Sequence, residues 1–257
     1  METPANIAQD IRFVLVGTQH PGNIGAAARA LKTMGLSRLV LVAPEEFPSE
    51  EARRRAAGAE DVLAAAAVVP DLAAAVADCR FVLGCTARSR RVQLEELVPR
   101  AAGEKLLALA GDGPVALVFG RERTGLTNEE LQLCHAAVHI PANPEYSSLN
   151  LAAAVQVLAY EVRMAWLARG PAGDGPAGRD AAGREQPASH AQLESFFAQL
   201  AETLDEIDFH KGRSPDSAMR KLRRLFLRAD LSEREVRLLR GVLADAQRMA
   251  RQAAGTG

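Results

Sequence analysis

The stretch that decides the fold is IRFVLVGTQHPGNIGAAARALKTMG, residues 11–35. Its first seven residues form a short apolar run rich in β-branched side chains, which predicts a buried strand. A glycine-rich bend follows, and the alanine-rich segment after Asn23 predicts a helix that ends near Gly35, because glycine favours helix C-termini. A strand, a bend and a helix in this order are typical of an α/β fold.

The same alternation continues along the chain. Apolar runs predict further strands at residues 37–44, 79–85, 114–120 and 136–141. Helical stretches are predicted near residues 50–56, 71–77, 99–110 and 128–134, with a longer helix from about Leu149 to Leu167. Since strands that alternate with helices form a parallel sheet covered on both faces, we predict an α/β domain over residues 1–168.

The composition changes abruptly after this domain. Residues 169–190 are rich in Gly, Pro and Ala and contain no large apolar residue, which is typical of a flexible linker. Residues 191–257 contain long segments with helical periodicity and predict a small helical C-terminal module. Within it, Ser214-Pro215 and Leu231-Ser232 mark the expected starts of two helices.

The overall charge does not favour a polyanionic partner, because the net charge is −1 over 257 residues. The helical module is locally basic, however, with ten Lys or Arg and only four Asp or Glu between Phe209 and Arg240. Such a segment is either a solvated helix face or a surface that contacts a phosphate backbone. The composition alone leaves both interpretations open.

Cysteine, histidine and the N-terminal segment point to a cytoplasmic protein without a metal site. The three cysteines have no metal-ligand spacing, so we expect buried free thiols in a reducing compartment. The five histidines are scattered, and no metal is expected. The first ten residues lack the features of a signal peptide, and no segment reads as a membrane span.

Three polar loops follow predicted strands, and each has its own sequence signature. The first loop is GTQHPGNIGAAAR (17–29), the second is FGRERTGLTNEE (119–130) and the third is IPANPEYSSLN (140–150). Open parallel sheets bind ligands at the carboxyl ends of their strands. We therefore expect the three loops to form one site.

A dinucleotide site is one interpretation of the first loop. It lies between a strand and a helix, and Glu45 and Glu46 follow at the distance of a ribose-binding acid. The glycines at 17, 22 and 25 do not match the G-x-G-x-x-G spacing that lets a backbone approach a pyrophosphate. A nucleotide-dependent oxidoreductase stays an alternative on these residues.

Together the loops resemble a known family. NIGAAAR (23–29), VFGRERTGL (118–126) and IPANPEYSSLNLAAAVQVLAYE (140–161) are similar to the three motifs of the SpoU/TrmH-type RNA 2′-O-ribose methyltransferases of the SPOUT superfamily. The segment DFHKGRSPDSAMRKLRRLFLRADLSEREVRLLRGVL (208–243) resembles the C-terminal extension of the TrmJ family. Members of that family are bacterial tRNA (cytidine/uridine) 2′-O-methyltransferases that act on nucleotide 32 of the anticodon loop.

The resemblance implies a fold, a cofactor and partners. It implies a SPOUT-type sheet with a deep C-terminal trefoil knot that binds S-adenosylmethionine. It also implies a homodimer whose active site lies at the subunit interface, so that an arginine can serve the partner's site. The substrate would be tRNA, held in part by the helical module. Methylation of another tRNA or rRNA site, and a non-catalytic RNA-binding factor, are the alternatives.

The resemblance also implies catalytic residues, which are Arg29, Asn23, Glu122, Ser148 and Asn150. A guanidinium stays protonated, so clamping a phosphate and polarising the 2′-hydroxyl is an easier role for Arg29 than proton abstraction. Asn23 either caps its helix or holds the active-site loop. Glu122 either joins the hydrogen-bond network or forms a salt bridge within its turn. A serine of the pair before Leu149 either contacts ligands or caps the following helix.

Two larger sets complete the expected site. The resemblance implies cofactor contacts at Gly84, Cys85, Thr86, Ala87, Arg88, Gly120, Ile140, Ser147, Ser148 and Leu149. The RNA-binding residues expected from the basic segment and the motif arginine are Arg29, Lys211, Arg213, Arg220, Lys221, Arg223 and Arg224.

Overall fold

The described part of the chain falls into two compact units, one within Met1–Ala181 and one within Ala182–Gly257. A computed structural model describes residues 10–87, 94–169, 185–212 and 214–254. Arg88 and Arg213 of the expected site lie outside these ranges.

The first unit is built on a seven-stranded sheet in which every described pairing is parallel. Its strands are β1 (Ile11–Val16), β2 (Leu39–Val42), β3 (Ala67–Val69), β4 (Phe81–Cys85), β5 (Glu95–Leu97), β6 (Val115–Phe119) and β7 (Ala136–Val138). Their order across the sheet is β3-β2-β1-β6-β4-β7-β5. The α/β class and all five strands expected from apolar runs are confirmed.

Seven helices of this unit are described. They are α1 (Pro21–Thr33), α2 (Glu50–Ala56), α3 (Glu60–Ala64), α4 (Leu72–Val76), α5 (Pro99–Ala110), α6 (Asn128–Gln132) and α7 (Leu151–Ala168). Sequence reasoning missed α3, β3 and β5. The two missed strands are the outermost of the sheet, have three residues each and are mostly exposed. Strands this short give little sequence signal, because β3 is only Ala-Val-Val and β5 is Glu-Glu-Leu.

Alternating side chains of the central strand fill cores on both faces of the sheet. Phe13 and Leu15 of β1 belong to the core formed with α1, α5 and α7. Val14 and Val16 point the other way, into the core formed with α4 and α6. The prediction of a sheet covered on both faces is therefore confirmed.

Helix α1 is rich in small residues because other helices approach its backbone closely. A Cβ atom added at Gly25 would lie 2.0 Å from the carbonyl oxygen of Ala52 in α2. A similar contact joins α5 to α7, where a Cβ at Gly103 would lie 2.7 Å from the backbone of Glu161. Gly25 thus serves helix packing and not a phosphate.

Helix α7 is the one helix in the described ranges whose length and composition would suit a membrane span. Residues such as Val155, Leu158 and Val162 are buried in the core that the helix shares with α1 and α5. The apolar character of α7 is thus explained in large part by packing within this unit.

The second unit contains α8 (His190–Glu206), α9 (Pro215–Arg228) and α10 (Glu233–Ala254). Its core is formed by Phe196, Phe197 and Leu200 of α8 with Val236 of α10. Ser189 caps α8 through a reciprocal bond with Gln192. This unit is helical, and its second and third helices begin directly after the expected Ser214 and Ser232.

Residues 185–190, which composition assigns to the linker, pack onto this second unit. Ala188 is buried, and its amide donates to the carbonyl of Leu231 at 2.8 Å. The amide of Glu233 donates to the carbonyl of Gln186 at 2.9 Å. Alanine and proline are typical of a linker, but small residues also fit a close contact with the start of α10.

We predict that Gly25→Ala lowers the free energy of unfolding of the first unit by about 1–3 kcal/mol, because the new methyl group overlaps the α2 backbone. Gly111→Ala is the matched control. No atom lies within 4 Å of the position that a Cβ would take at Gly111, and its φ of −69° is ordinary, so its change stays within about 0.5 kcal/mol. Urea unfolding measures both, and equal stabilities of the two variants would contradict the packing role.

Candidate active site

The carboxylate of Glu122 joins the second loop to the start of α1. It accepts hydrogen bonds from the backbone amides of Gln19 at 3.0 Å and His20 at 3.2 Å. It also accepts one from the side-chain amide of Asn23 at 2.9 Å. A negative charge is favourable here, because helix N-termini carry unpaired amides and the positive end of the helix dipole.

Asn23 extends this contact to the third loop. Its Oδ1 accepts a hydrogen bond from Nδ2 of Asn150 at 3.0 Å. Oδ1 of Asn150 accepts from the amide of Ala152 at 2.9 Å and so caps α7. One chain of side chains, which we call the Glu122–Asn23–Asn150 bridge, therefore connects all three loops.

The structure distinguishes between the alternative roles that the sequence left open for Asn23 and Glu122. Helix α1 begins at Pro21 with His20 as N-cap, so the interpretation of Asn23 as an N-cap is wrong. Proline suits the first helical turn, which moves the helix start two residues ahead of Asn23. The salt bridge within the second loop is formed by Arg121 with Glu130 at 3.0 Å, so Glu122 is not its carboxylate.

The bridge also changes the acidity of Glu122. Partial burial by itself would raise the pKa of this carboxyl. The hydrogen bonds from Asn23 and from the amides of Gln19 and His20 outweigh burial and hold the pKa below its ordinary value of 4.5. The carboxylate is therefore ionised at neutral pH.

A tight turn shapes the second loop. A Cβ at Gly120 would lie 2.1 Å from the backbone of Gly125 and Leu126, so only glycine fits there. Gly125 adopts a φ of +68°, which glycine reaches without strain. Beyond the turn, Thr127 and Glu130 cap α6 reciprocally. The turn thus folds back on the end of β6 and presents its charged residues at the sheet edge.

A cavity of about 420 Å³ opens beside the bridge at the carboxyl ends of β4, β6 and β7. Of the residues expected to contact a cofactor, it is lined by Cys85, Thr86, Ala87, Gly120, Ile140, Ser147, Ser148 and Leu149. Gly84 does not line it, because this glycine lies within β4, where a Cβ would meet the sulfur of Cys134. Arg88 lies outside the described residues.

Several lining residues were not expected. The walls include Phe119, Leu126 and Ala154, which are apolar residues next to or within the motifs. Their signal in the sequence is weak, because an apolar residue beside a strand end is equally typical of the core. Glu122 also lines the cavity, so the bridge forms part of its wall.

The three cysteines are free thiols, as predicted. Cys79 and Cys134 are buried in the core, and Cys85 lies in the cavity wall. Burial raises the pKa of Cys85 to about 12, so the thiol stays protonated and is a poor nucleophile. Cys85 therefore contributes a neutral side chain to the cavity wall.

The remaining catalytic candidates lie in different places. Ser148 is exposed and lines the cavity, and it does not cap α7, because Asn150 does. Arg29 is exposed on α1 and does not line the cavity of its own chain. The structure therefore joins Asn23, Glu122 and Asn150 directly and leaves Arg29 outside this group.

The dinucleotide interpretation fails at the helix terminus. A pyrophosphate would need the amides at the start of α1, and Glu122 already occupies those of Gln19 and His20. Glu45 accepts a hydrogen bond from the side chain of Gln19 at 3.1 Å. A second cavity of about 680 Å³ does lie at the ends of β1 and β2. Its lining has four acids, Glu45, Asp71, Glu129 and Glu130, against one cation, Arg121, and this balance disfavours a phosphate.

The basic segment divides into an outer and an inner set. Lys211, Arg220, Lys221 and Arg224 are exposed. Arg223 instead forms an ion pair with Glu194 and lies over the ring of Phe197 at 4.5 Å from its centroid. Arg223 was expected to face RNA, but the packing of α9 on α8 turns it inward. Arg213 lies outside the described residues.

Comparisons with known proteins find matches for both units. Residues 10–160 match the model of the SpoU rRNA Methylase family, and residues 191–255 match that of the TrmJ C-terminal domain of tRNA methyltransferases.

Two curated relatives and one solved structure are similar over nearly the whole chain. The tRNA (cytidine/uridine/adenosine-2′-O-)-methyltransferase TrmJ of Pseudomonas aeruginosa is 51% identical over 94% of this chain and 95% of its own length. The tRNA (cytidine/uridine-2′-O-)-methyltransferase TrmJ of Salmonella choleraesuis is 52% identical over 93% of this chain and 97% of its own. The crystal structure of TrmJ from Z. mobilis ZM4 has a TM-score of 0.76 and 35% identity, and covers 91% of this chain and 97% of that one.

We predict that Glu122→Gln lowers the free energy of unfolding by about 1–2 kcal/mol at pH 7, because charge-assisted hydrogen bonds become neutral ones. The pKa of Glu122 is depressed, so its contribution is present above its ordinary value of 4.5 and is lost as the pH falls below it. Urea unfolding from pH 7 to pH 3 measures the difference from the unaltered chain, which shrinks toward zero at the acid end.

Glu46→Gln is the control for this titration, since Glu46 is exposed and forms no ion pair among the described residues. The free energy of unfolding of Glu46→Gln should equal that of the unaltered chain at every pH. A pH-independent deficit in Glu122→Gln would contradict the electrostatic origin of the bridge.

Proposed function

The chain belongs to the SpoU methylase family and to its TrmJ members, and on that premise we propose that it is a tRNA 2′-O-methyltransferase. It transfers a methyl group from S-adenosylmethionine to the ribose of the cytidine or uridine at position 32 of the anticodon loop. The observation that carries the proposal is the cavity of about 420 Å³ beside the Glu122–Asn23–Asn150 bridge.

The cavity suits the cofactor in size and in chemistry. Its volume lies in the range of roughly 300–1,000 Å³ typical of small-molecule sites. Apolar side chains such as Leu126, Ile140 and Leu149 offer a slot for an adenine ring, and the turn from Gly120 to Gly125 offers polar backbone. When bound, S-adenosylmethionine supplies a methyl group on a sulfonium, which needs little further activation.

The residues of the site act mainly on the acceptor. A ribose hydroxyl is a weak nucleophile, so positioning it and stabilising the developing negative charge on its oxygen are the main tasks. The hydroxyl of Ser148 lies in the cavity wall and hydrogen-bonds the acceptor ribose. The Glu122–Asn23–Asn150 bridge is a positioning device that fixes the loops around the ribose. Arg29 clamps the neighbouring phosphate and polarises the hydroxyl.

Arg29 reaches the site from a second copy of the chain. It does not line the cavity of its own chain, and it lies on an exposed face of α1, the helix that packs against α7. Helix α7 exposes Tyr160, Met164 and Leu167, which share one face at helical spacing and are 37–47% exposed. This apolar stripe forms the dimer interface and brings Arg29 to the partner's cavity.

The deep trefoil knot is part of the proposal. Strand β7 follows β6 in sequence yet lies between β4 and β5 in the sheet. The last described strand of the chain is thus inserted between two strands that are consecutive in sequence. This late insertion, next to the cavity, supports the knot that binds the cofactor in the family.

The second unit helps to hold tRNA through the exposed Lys and Arg residues of α9. The substrate is cytoplasmic, and the protein acts in that compartment. A substrate in rRNA or at another tRNA position is the alternative, and the position of the methyl mark distinguishes them.

We predict that the purified chain, supplied with S-adenosylmethionine and unmodified tRNA, produces one ribose methyl at nucleotide 32. Arg29→Ala lowers the methylation rate by about 100-fold or more, because the transition state loses a charge clamp, while cofactor affinity persists. Mass spectrometry of nuclease fragments and calorimetry are the measurements. The control is Lys32→Ala, on the same helix, which removes an exposed cation paired with Asp61.

Mixing Arg29→Ala with Ser148→Ala, each of which should be inactive by itself, tests whether the site is shared between two subunits. Arg29→Ala and Ser148→Ala chains together should regain about a quarter of full activity, since half of the dimers would be mixed and each would hold one intact site. No methylation of any tRNA by the unaltered chain would contradict the proposal and favour a non-catalytic RNA-binding factor. A methyl at another nucleotide would contradict position 32 alone.

We further predict that Arg220→Ala combined with Lys221→Ala weakens tRNA binding and lowers the slope of log K against log salt by about 1.5. Cofactor affinity should not change. Arg248→Ala with Arg251→Ala removes the same charge from α10, where both are paired with acids, and serves as control. Equal salt slopes in all three proteins would contradict a phosphate-contacting role of α9.

A further inference from the structure

The loop after α8, residues 207–212, begins with a hydrogen-bonded helix end. The amide of Phe209 donates to the carbonyl of Leu204 at 3.0 Å, and the amide of Asp208 donates to that of Asp205 at 3.1 Å. This pair of bonds is a Schellman motif, which closes α8 and fixes the direction of the chain that leaves it.

The backbone of this loop is strained. Asp208 and Lys211 have φ values of +50° and +47°, in the left-handed region that normally favours glycine, and Gly212 follows at +77°. Asp208 lies where a Schellman motif takes this conformation, whereas Lys211 lies beyond the motif. A non-glycine residue in this region costs free energy, so the conformation at Lys211 has to be held by the surrounding structure.

The side chain presented by this loop is Phe209. In a Schellman motif this residue normally folds back onto the last turn of the helix, but here it is 53% exposed. Its ring meets the largely buried side chain of His210 edge to face, with ring centroids 5.6 Å apart and an interplanar angle of 79°. All eight phenylalanines of the chain lie in the described ranges, and Phe209 alone is exposed.

The exposed charges near Phe209 in the sequence are mixed, with Asp205 and Asp208 before the ring and Lys211 after it. The next helix, α9, is the cationic part of this unit and exposes Arg220 and Lys221. Proteins that bind single-stranded nucleic acid combine these two features, because bases stack on an exposed aromatic ring while cations bind the phosphates.

We propose that Phe209 is a stacking platform for an unpaired base of the tRNA anticodon loop. This inference rests on the proposed tRNA substrate and adds a contact that depends on the ring and not on charge. The bound RNA places its backbone along α9 and one splayed base on the outer face of Phe209. The Schellman hydrogen bonds and the contact with His210 hold the ring before binding, which lowers the entropic cost of the contact.

The test measures tRNA affinity of the full chain by fluorescence anisotropy at several salt concentrations. Phe209→Ala should weaken binding about 10-fold, the loss expected for one base stack. The salt slope should not change, since no charge is removed. Phe209→Trp should restore affinity, and its fluorescence should be quenched by tRNA. Leu238→Ala, which truncates a 69% exposed residue of α10, should bind like the unaltered chain.

If the unaltered chain binds and methylates tRNA, the proposed function stands. Two outcomes would then overturn the inference about Phe209. One is full tRNA affinity of Phe209→Ala. The other is a loss of tRNA affinity that Phe209→Trp does not restore. Affinity would then not depend on an aromatic ring that stacks on a base, as expected if Phe209 has a purely structural role or contacts a protein partner. Failure of the unaltered chain to bind tRNA would overturn the proposed function and this inference together.

Discussion

The carboxylate of Glu122 at the start of α1 is the interaction on which the site depends. It accepts hydrogen bonds from the backbone amides of Gln19 and His20, directly ahead of the first helical turn, and through Asn23 it connects to the cap of α7. The three loops come from distant parts of the chain, and the bridge holds them at a fixed spacing. A single ionised carboxyl thus turns the edge of an ordinary parallel sheet into a defined wall of a ligand cavity.

This carboxylate also explains how a strand-loop-helix start that resembles a dinucleotide site serves another chemistry. In nucleotide-binding folds the helix terminus is left open for a phosphate. Here the protein supplies its own anion, and the cavity that we propose for the cofactor lies beside it, at the ends of β4, β6 and β7. Of the glycines considered for a phosphate site, Gly25 serves helix packing, because a Cβ there would meet the backbone of Ala52 in α2.

The parts of the fold that depend on a local sequence pattern could be predicted from the sequence. The buried strands were predicted because β-branched apolar runs need a core, whereas β3 and β5 were missed because edge strands are short and exposed. The position of Asn23 within its helix was missed because Pro21 moves the helix start forward. The inward direction of Arg223 depends on how α9 packs on α8, and no count of charges along the sequence contains that information.

The most direct measurement is a crystal structure of the chain with S-adenosylhomocysteine, the product form of the cofactor. We expect the ligand in the cavity bounded by Cys85, the turn from Gly120 to Gly125 and Leu149, with Glu122 still bonded to the amides at the start of α1. A ligand bound at the start of α1 with Glu122 displaced, or in the second cavity at the ends of β1 and β2, would contradict this assignment.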